Sequence, residues 1–247
     1  MERGLYIAAS GMLAEQVRQD QLANDLANAS TPGYKADNSE QASFSDLLLW
    51  NSSTGAPVGS LSMGSRITHV VTDLTQGPLQ STGNPLDLAL DGPGFLAVAT
   101  SSGVRYTRDG QLMVDARGRL CTDTGNLVLG TSGKPITVGQ VSDPAQISVD
   151  QRGTVKVGSR TVGTLAVMSL TGATKQGDTL FTGTPGVRPS GTTVQQGFLE
   201  GSGVQPAEAM VDMIVSFRAY ETTQRAIQSI DTELGRAANS VGSATGQ

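Results

Sequence analysis

A seven-residue repeat of large apolar side chains near the carboxyl end most constrains what this chain can fold into. The repeat consists of Met213, Tyr220, Ile227, Leu234 and Val241, flanked by Met210, Ile214, Phe217, Ile230 and Ala237. Pro206 suits the first position of a helix, and Glu208 suits its positive amino-terminal end. A sustained heptad period is typical of a helix that packs along a partner helix. The repeat therefore predicts a long helix over residues 206–240 that needs another helix beside it.

A second helix is predicted over residues 4–30, with a thinner apolar stripe. Its members lie seven residues apart, at Leu5, Met12, Gln19 and Leu26. A helix of roughly 26 residues is about 39 Å long. The sequence Thr31-Pro32-Gly33-Tyr34 then predicts a helix-exit turn, because proline pushes the residue before it toward extended geometry and glycine accepts a positive φ.

Between the helices, residues 36–205 have the pattern of β structure. Short apolar or alternating runs recur at 86–90, 95–100, 127–130, 147–149, 154–157 and 164–170. Turn signals such as Asp109-Gly110, which we interpret as hairpin turns, separate these runs, and the 31 glycines of the chain fit many short strands. Dense strands with glycine turns favour a sandwich or barrel-like domain. The predicted fold class is α+β, with a helix in 1–35, a central all-β domain in 36–205 and a helix in 206–247.

The apolar stripes of the two terminal helices have no obvious place in the middle domain. Either the helices pair with each other, since chain ends often lie close together, or they stay loose until they meet other copies. An amphipathic helix alone in water is marginally stable. We therefore predict an assembly interface, and its alternative is an ordinary intramolecular helix pair packed on the β domain. The predicted interface residues are Leu5, Met12, Leu22, Leu26, Met210, Met213, Phe217, Tyr220, Ile227, Ile230 and Leu234.

Charge and hydropathy exclude several functional classes. The net charge is −5 and the basic residues are scattered, whereas nucleic-acid binding needs concentrated lysine and arginine. We therefore predict no nucleic-acid partner. No apolar run approaches the roughly 18 residues that a membrane-spanning helix needs. The first residues lack a basic leader followed by a sustained apolar core, so no cleaved signal peptide is expected.

The sequence offers no recognisable catalytic chemistry. His69 is the single histidine and Cys121 the single cysteine, and we interpret both as structural residues on strands. The common nucleophile, zinc and calcium motifs are absent. We predict no catalytic, cofactor-binding or metal-binding residues and no cofactor. A glycosidase needs only two carboxylates, so a monomeric secreted β-rich glycan-binding module or hydrolase is kept as the alternative of a different class.

Three sequence blocks resemble the flagellar basal-body rod and hook proteins of bacteria. Residues 8–35 contain Gly-Met, then Leu-Ala-Asn-Asp-Leu-Ala-Asn, then Thr-Pro-Gly-Tyr-Lys. Residues 85–130 are similar to the central block of the family, and residues 197–234 to its carboxyl-terminal block with Arg-Ala-Tyr-Glu. The sequence departs from the family pattern at Asp25, Gly203 and Leu96, which bears on local contacts.

The resemblance implies a structural subunit of the flagellar rod. Such proteins pack both terminal helices in a coiled-coil-like inner layer of a helical tube, with the hook/rod-type β domain outside. It implies torque transmission, a place in the rod across the periplasm, and export by the flagellar type III apparatus. Implied partners are copies of the chain, other rod proteins and axial neighbours on the hook or motor side. The proximal rod fits best; the alternatives are the distal rod, another hook-basal body component, or a cap or chaperone for the rod.

Overall fold

The computed structural model describes residues 2–43, 46–140, 144–177 and 179–244. Two long helices enclose a β-rich region in the sequence. The helices are α1 (Glu2–Ala27) and α2 (Pro206–Ala244). The first strands are β1 (Asp37–Ser43), β2 (Asp46–Trp50), β3 (Pro57–Ser62), β4 (Ser65–Thr72), β5 (Leu79–Ser81), β6 (Leu88–Asp91), β7 (Phe95–Thr100), β8 (Gly103–Thr107), β9 (Leu112–Val114), β10 (Leu120–Thr122) and β11 (Leu127–Val128).

The remaining strands follow a short 3-10 helix at Pro144–Gln146. They are β12 (Ile147–Val149), β13 (Thr154–Val157), β14 (Arg160–Thr164), β15 (Val167–Met168), β16 (Leu170–Lys175), β17 (Leu180–Pro185), β18 (Thr193–Gln196) and β19 (Phe198–Glu200). The predicted α+β class, with a helix at each end and a β-rich centre, is confirmed.

The chain forms two compact units. The helical unit comprises the described residues of 1–27, 37–71 and 206–247, and the β unit those of 28–36 and 72–205. Residues 37–71, which were predicted to belong to the middle domain, thus group with the two helices. The chain passes between the units at 27–28, 36–37, 71–72 and 205–206.

In the helical unit, α1 and α2 pack against each other in opposite directions. Positions near the start of α1 meet the later part of α2, and Glu15 meets Ser216. Strand β1 pairs with β4, and β2 pairs antiparallel with β3. The β2–β3 hairpin turns over residues 51–56.

Among the described residues of the β unit, eight strands form one sheet. Seven of them follow the order β16-β17-β8-β7-β11-β10-β9, and the eighth, β15, pairs with β7. Strand β7 lies at its centre. One edge of β7 pairs with β8, while its other edge is shared by β11 and β15. Its side chains alternate between two apolar clusters: Leu96 and Val98 join one, Phe95 and Ala97 the other. Both faces of this strand are therefore buried, as its continuous apolar run suggests.

Two local predictions differ from the structure. Helix α1 ends at Ala27 rather than residue 30, because the Thr31 amide donates to the Asn28 carbonyl at 3.1 Å and closes a tight turn. Asp109-Gly110 does not join a hairpin, since β8 and β9 pair with different strands. Glycine is needed at position 110 because a Cβ there would lie 1.5 Å from the Leu88 carbonyl oxygen.

Candidate assembly surface

The predicted heptad residues of α2 line the side of this helix that is partly covered. Met213, Tyr220, Ile227 and Leu234 are half-buried, and so is Ile230. Two small residues between them, Ala209 and Ser216, are buried. These positions follow the alternating spacing of three and four residues that one face of a helix requires. This face of α2 therefore looks toward α1.

The matching face of α1 is built from small and polar residues. A Cβ at Gly4 would lie 3.4 Å from Cδ1 of Ile230, and a Cβ at Gly11 would lie 3.7 Å from Cγ2 of Thr223. These two glycines are one heptad apart and let the helices approach closely. Sequence reasoning missed this face because it followed the large apolar residues, although the Gly4–Gly11 spacing carries the signal.

A polar pair lies inside the helix pair. The hydroxyl of Ser216 donates to Oε2 of Glu15 at 2.7 Å and lies 3.3 Å from its carbonyl oxygen. Ser216 is fully buried and Glu15 is half-buried. A hydrogen bond to a charged acceptor is stronger than one between neutral groups. The pair therefore defines which level of α1 meets which level of α2.

The opposite surface of α2, over its first three turns, is apolar and exposed. The side chains concerned are Met210 (50% exposed), Val211 (58%), Ile214 (54%), Val215 (52%) and Phe217 (59%). We call these five residues the α2 outer patch. Surface polar groups normally cover such a helix, and a helix that is apolar around its circumference is usually buried. The α2 outer patch is therefore an exposed apolar surface of the kind that marks an interaction site.

Helix α1 adds exposed apolar side chains of its own. Tyr6 is 59% exposed, Leu13 is 64% exposed and Val17 is 49% exposed. Among the residues of α1 predicted for the assembly interface, Leu5 is exposed, Met12 and Leu26 are half-buried, and Leu22 is buried. On α2, Met210 and Phe217 belong to the outer patch and the other predicted residues face α1. The predicted set therefore samples both the covered and the uncovered faces.

The helix-exit turn belongs to the β unit. Its four residues run from Thr31 to Tyr34, and the Tyr34 amide donates to the Thr31 carbonyl at 3.3 Å. Gly33 has a φ of +68°, as the turn predicts. A Cβ on Gly33 would lie 2.4 Å from the backbone of Arg108 and Asp109, so the turn is pressed against the segment that directly follows β8. Tyr34 is fully buried.

Directly after the turn lies a buried ion cluster that sequence reasoning missed. Nζ of Lys35 lies 2.6 Å from Oε1 of Glu200, and Nη1 of Arg108 lies 3.0 Å from Oε2 of the same carboxylate. We call these three residues the clamp. Their side chains are at most 3% exposed. They are separated by up to 165 residues in sequence, so no local sequence motif indicates that they form a cluster.

Each charge of the clamp has further partners. Nζ of Lys35 also donates to the Thr75 carbonyl, Nη2 of Arg108 donates to the Gly92 carbonyl at 2.9 Å, and the Gly77 amide donates to Glu200 at 2.9 Å. Burial lowers the pKa of the Lys35 ammonium; Glu200 opposes this effect and Arg108 reinforces it. Two cations against one carboxylate leave the cluster one positive charge in excess, which makes Glu200 its central member.

No helix among the described residues is long and apolar enough to cross a membrane. Within those same residues, no group of three or more histidine, cysteine, aspartate or glutamate side chains is arranged to hold a metal ion.

Three family models match successive parts of the chain. Residues 5–35 match the model described as flagella basal body rod protein, and residues 89–157 match the flagellar hook protein FlgE/F/G D1 domain. Residues 195–240 match the flagellar basal body rod FlgEFG protein C-terminal model. Together the three matches cover most of both helices and strands β7 to β13 of the β unit.

Curated relatives match the chain over nearly its whole length. It is 32% identical to the flagellar basal-body rod protein FlgF of Caulobacter vibrioides, covering 96% of this chain and 97% of the relative. It is 34% identical to FlgG of Borreliella burgdorferi, covering 97% and 98%. It is 33% identical to FlgF of Escherichia coli, covering 96% and 97%.

The fold and surface define an α+β protein whose paired terminal helices keep apolar outer faces. With these relatives, the chain belongs to the flagellar basal-body rod protein family.

Proposed function

We propose that this chain is a subunit of the flagellar rod that assembles with copies of itself through its paired helices. The single observation that carries the proposal is the arrangement of side chains in the first turns of α2. There the polar Ser216 is fully buried, while the α2 outer patch is at least half exposed. In a helix that folds only within its own chain, the polar side chains would face water and the apolar ones would face the partner helix.

The energetic reason for assembly follows from the patch. Apolar surface removed from water contributes about 25 cal/mol per Å², and five adjacent side chains of this size present a contiguous patch. Monomeric proteins seldom expose such patches without a function. Covering the patch with another copy stabilises the assembly, and this supports the inner helical layer and outer β domain that the sequence resemblance implies.

The geometry of such an assembly is expected to be open. The outer patch and the exposed side chains of α1 are different surfaces, so one subunit's patch meets a different surface on the next subunit. Heterologous contacts of this kind build helical filaments rather than closed dimers. A coiled-coil-like layer of terminal helices, continuous along the tube, is the arrangement through which torque would pass.

The remaining parts of the proposal concern place and partners. Relatives named flagellar basal-body rod proteins support a location in the basal body. We extend this to the part of the rod that crosses the periplasm, with neighbouring rod proteins as axial partners, and to the proximal rod. We also propose export by the flagellar type III apparatus without a cleaved signal peptide.

We assign the chain a structural role and no catalytic one, because the family it belongs to is structural. A secreted glycan-binding module or hydrolase has no comparable support, whereas the FlgF and FlgG relatives that match 96% or 97% of this chain are named flagellar basal-body rod proteins.

The test replaces one residue of the patch. Phe217→Glu places a charge within the α2 outer patch and leaves the face of α2 that looks toward α1 unchanged. We expect loss of incorporation into isolated basal bodies and loss of sedimentable polymer from purified protein, with unchanged helix content by circular dichroism.

The matched control is Gln224→Glu. Gln224 lies one heptad after Phe217, is exposed, and lies outside the α2 outer patch. It introduces the same carboxylate on the same side of the helix. Normal incorporation of Phe217→Glu, or equal loss for both variants, would contradict the proposed contact.

A further inference from the structure

The β unit holds together the two chain segments that lead to the helices. The Gly33 amide donates to the Glu200 carbonyl at 2.8 Å, and the Gly203 amide donates to the Tyr34 carbonyl at 2.9 Å. The first segment follows α1 and the second precedes α2. The segment that follows α1 and the segment that precedes α2 are thus hydrogen-bonded to each other inside the β unit, whether or not the helices pair.

The clamp fixes this pair of segments through side chains. Lys35 and Glu200 each belong to one of the two segments, and their charged groups meet at 2.6 Å. Arg108 anchors the same carboxylate to the end of β8. On the outside, Nζ of Lys175 donates to the Lys35 carbonyl at 2.9 Å and lies 3.8 Å from the centre of the Tyr34 ring. A buried network of hydrogen bonds between charged groups favours one geometry.

The connections from the clamped segments to the helices are short. Residues 28–32 separate α1 from Gly33, and residues 204–205 separate Gly203 from α2. Fully extended chain spans at most about 3.5 Å per residue, which gives roughly 20 Å and 10 Å for these connections. Two binding elements on short tethers experience an effective concentration on the order of millimolar.

We propose that Lys35, Arg108 and Glu200 act as a positioning clamp that presents α1 and α2 to each other for pairing. By holding these two segments side by side, the clamp keeps the end of α1 and the start of α2 close together before the helices pair. The marginal stability of single helices makes this contribution important. The inference concerns the single chain and does not depend on the proposed assembly.

The test measures how often the helices meet. A chain carrying Cys121→Ser, Gly11→Cys and Thr223→Cys has two thiols at a known contact, since a Cβ at position 11 would lie 3.7 Å from Cγ2 of Thr223. The rate of intramolecular disulfide formation with oxidised glutathione, in dilute full-length protein, reports the effective concentration of α1 near α2. It does so whether pairing is stable or transient.

Lys35→Met is the informative variant. It removes the Lys35 ammonium but leaves Arg108 and Glu200 as a neutral pair, so no unpaired charge is buried. We expect the disulfide to form on the order of tenfold more slowly, because a released segment lengthens the tether and effective concentration falls steeply with tether length. The matched control is Lys134→Met, at an exposed position of the same unit, which should leave the rate unchanged.

Hydrogen exchange at the amides of β7 shows whether the β unit stays folded. A slower disulfide with protected β7 supports the clamp, and an unchanged rate with protected β7 overturns it. If Lys35→Met also exposes β7, Lys35→Gln, which keeps a polar side chain at this position, decides: a rate at least about threefold slower supports the proposal, and an unchanged rate overturns it. Polymer formation plays no part in this readout, so a failed assembly test would leave it interpretable.

Discussion

Ser216 donates a hydrogen bond to the Glu15 carboxylate at 2.7 Å inside the helix pair, and its neighbour Phe217 faces outward with 59% of its side chain exposed. Successive residues of one helix thus reverse the usual placement of polar and apolar groups. The reversal has two consequences: the contact between α1 and α2 depends partly on a polar pair, and the outer surface is left for contacts with other chains. These contributions can be separated by mutation.

Removing the Ser216 hydroxyl should weaken the helix pair. Ser216→Ala leaves the half-buried Glu15 carboxylate without this donor, and hydrogen bonds to charged groups contribute about 1.5–3 kcal/mol. We expect the helical signal at 222 nm to melt at lower temperature, with the β unit unaffected. Ser229→Ala, at an exposed position of the same helix, is the control and should change little. Equal melting of both variants would show that the Glu15–Ser216 pair does not stabilise the helices.

Adding a methyl group at Gly33 should destabilise the β unit far more than its backbone conformation alone explains. Gly33 has a positive φ, and its new Cβ would lie 2.4 Å from the Arg108–Asp109 backbone. A left-handed conformation costs a residue with a Cβ about 1–2 kcal/mol. We expect Gly33→Ala to cost at least about 3 kcal/mol in urea unfolding, because the exit turn must also move away from the strand end.

Gly125→Ala is the matched control for this prediction. Gly125 has a φ of +82°, and a Cβ added there would have no neighbouring atom within 4 Å, so this variant carries the conformational cost without the clash. The difference in unfolding free energy between the two variants measures the close approach of the exit turn to Arg108. A difference below about 1 kcal/mol would mean that the turn adjusts freely.

The buried carboxyl of Asp109 predicts a pH dependence of stability. Burial raises its pKa to about 6; Asp123 and Asp87 add to this effect, and the Gln111 amide opposes it. In the unfolded chain the pKa of aspartate is about 3.9. Below about pH 4 the carboxyl is protonated in both states. Between about pH 4 and 6 the unfolded state releases the proton first, so stability falls as pH rises, and above about pH 6 the loss is complete.

Asp109→Asn should therefore stabilise the β unit at pH 7 by about 1–3 kcal/mol and have little effect at pH 4, since each pKa unit corresponds to about 1.4 kcal/mol. The amide oxygen can still accept from the Gln111 amide, which donates to Asp109 at 3.0 Å. Urea unfolding at both pH values checks this. Asp123→Asn, at an exposed position, should show a much smaller pH-dependent gain; a gain equal to that of Asp109→Asn would contradict the assignment.

The fold class and the α2 heptad could be predicted because they depend on local periodicity. The line from Met213 to Leu234 is half-buried toward α1, as a repeat of seven predicts. The partner face on α1 could not be predicted from large apolar residues, since Gly4 and Gly11 make the close contacts while Leu13 faces out. In a subunit whose outer surface is also apolar, hydrophobicity does not distinguish the inward from the outward face.

The contact between the three clamp residues could not be predicted from the sequence, for a different reason. Lys35 directly follows the predicted exit turn, and a lysine there is normally expected on the surface. Its burial is stabilised by Glu200, which is distant in sequence and becomes a neighbour only when β19 returns to the exit turn. Pairing of charges across such distances follows from topology and leaves no periodic signal.

A charge on the inner face of α2 should separate helix pairing from folding of the β unit. Ile227 is half-buried on that face, so Ile227→Asp places a carboxylate among groups that pack against α1, and burying a charge there is costly. We expect α1 and α2 to lose hydrogen-exchange protection and polymer to disappear, while β7 stays protected because its apolar clusters belong to the β unit. Limited proteolysis should then trim both ends.

The matched control is Gln228→Asp, at the exposed next position, which should retain pairing of α1 with α2. Loss of β7 protection in Ile227→Asp would show that the two units do not fold independently. Phe217→Glu, by contrast, should abolish assembly with helix pairing intact, so the two variants together distinguish the inner contact from the outer one.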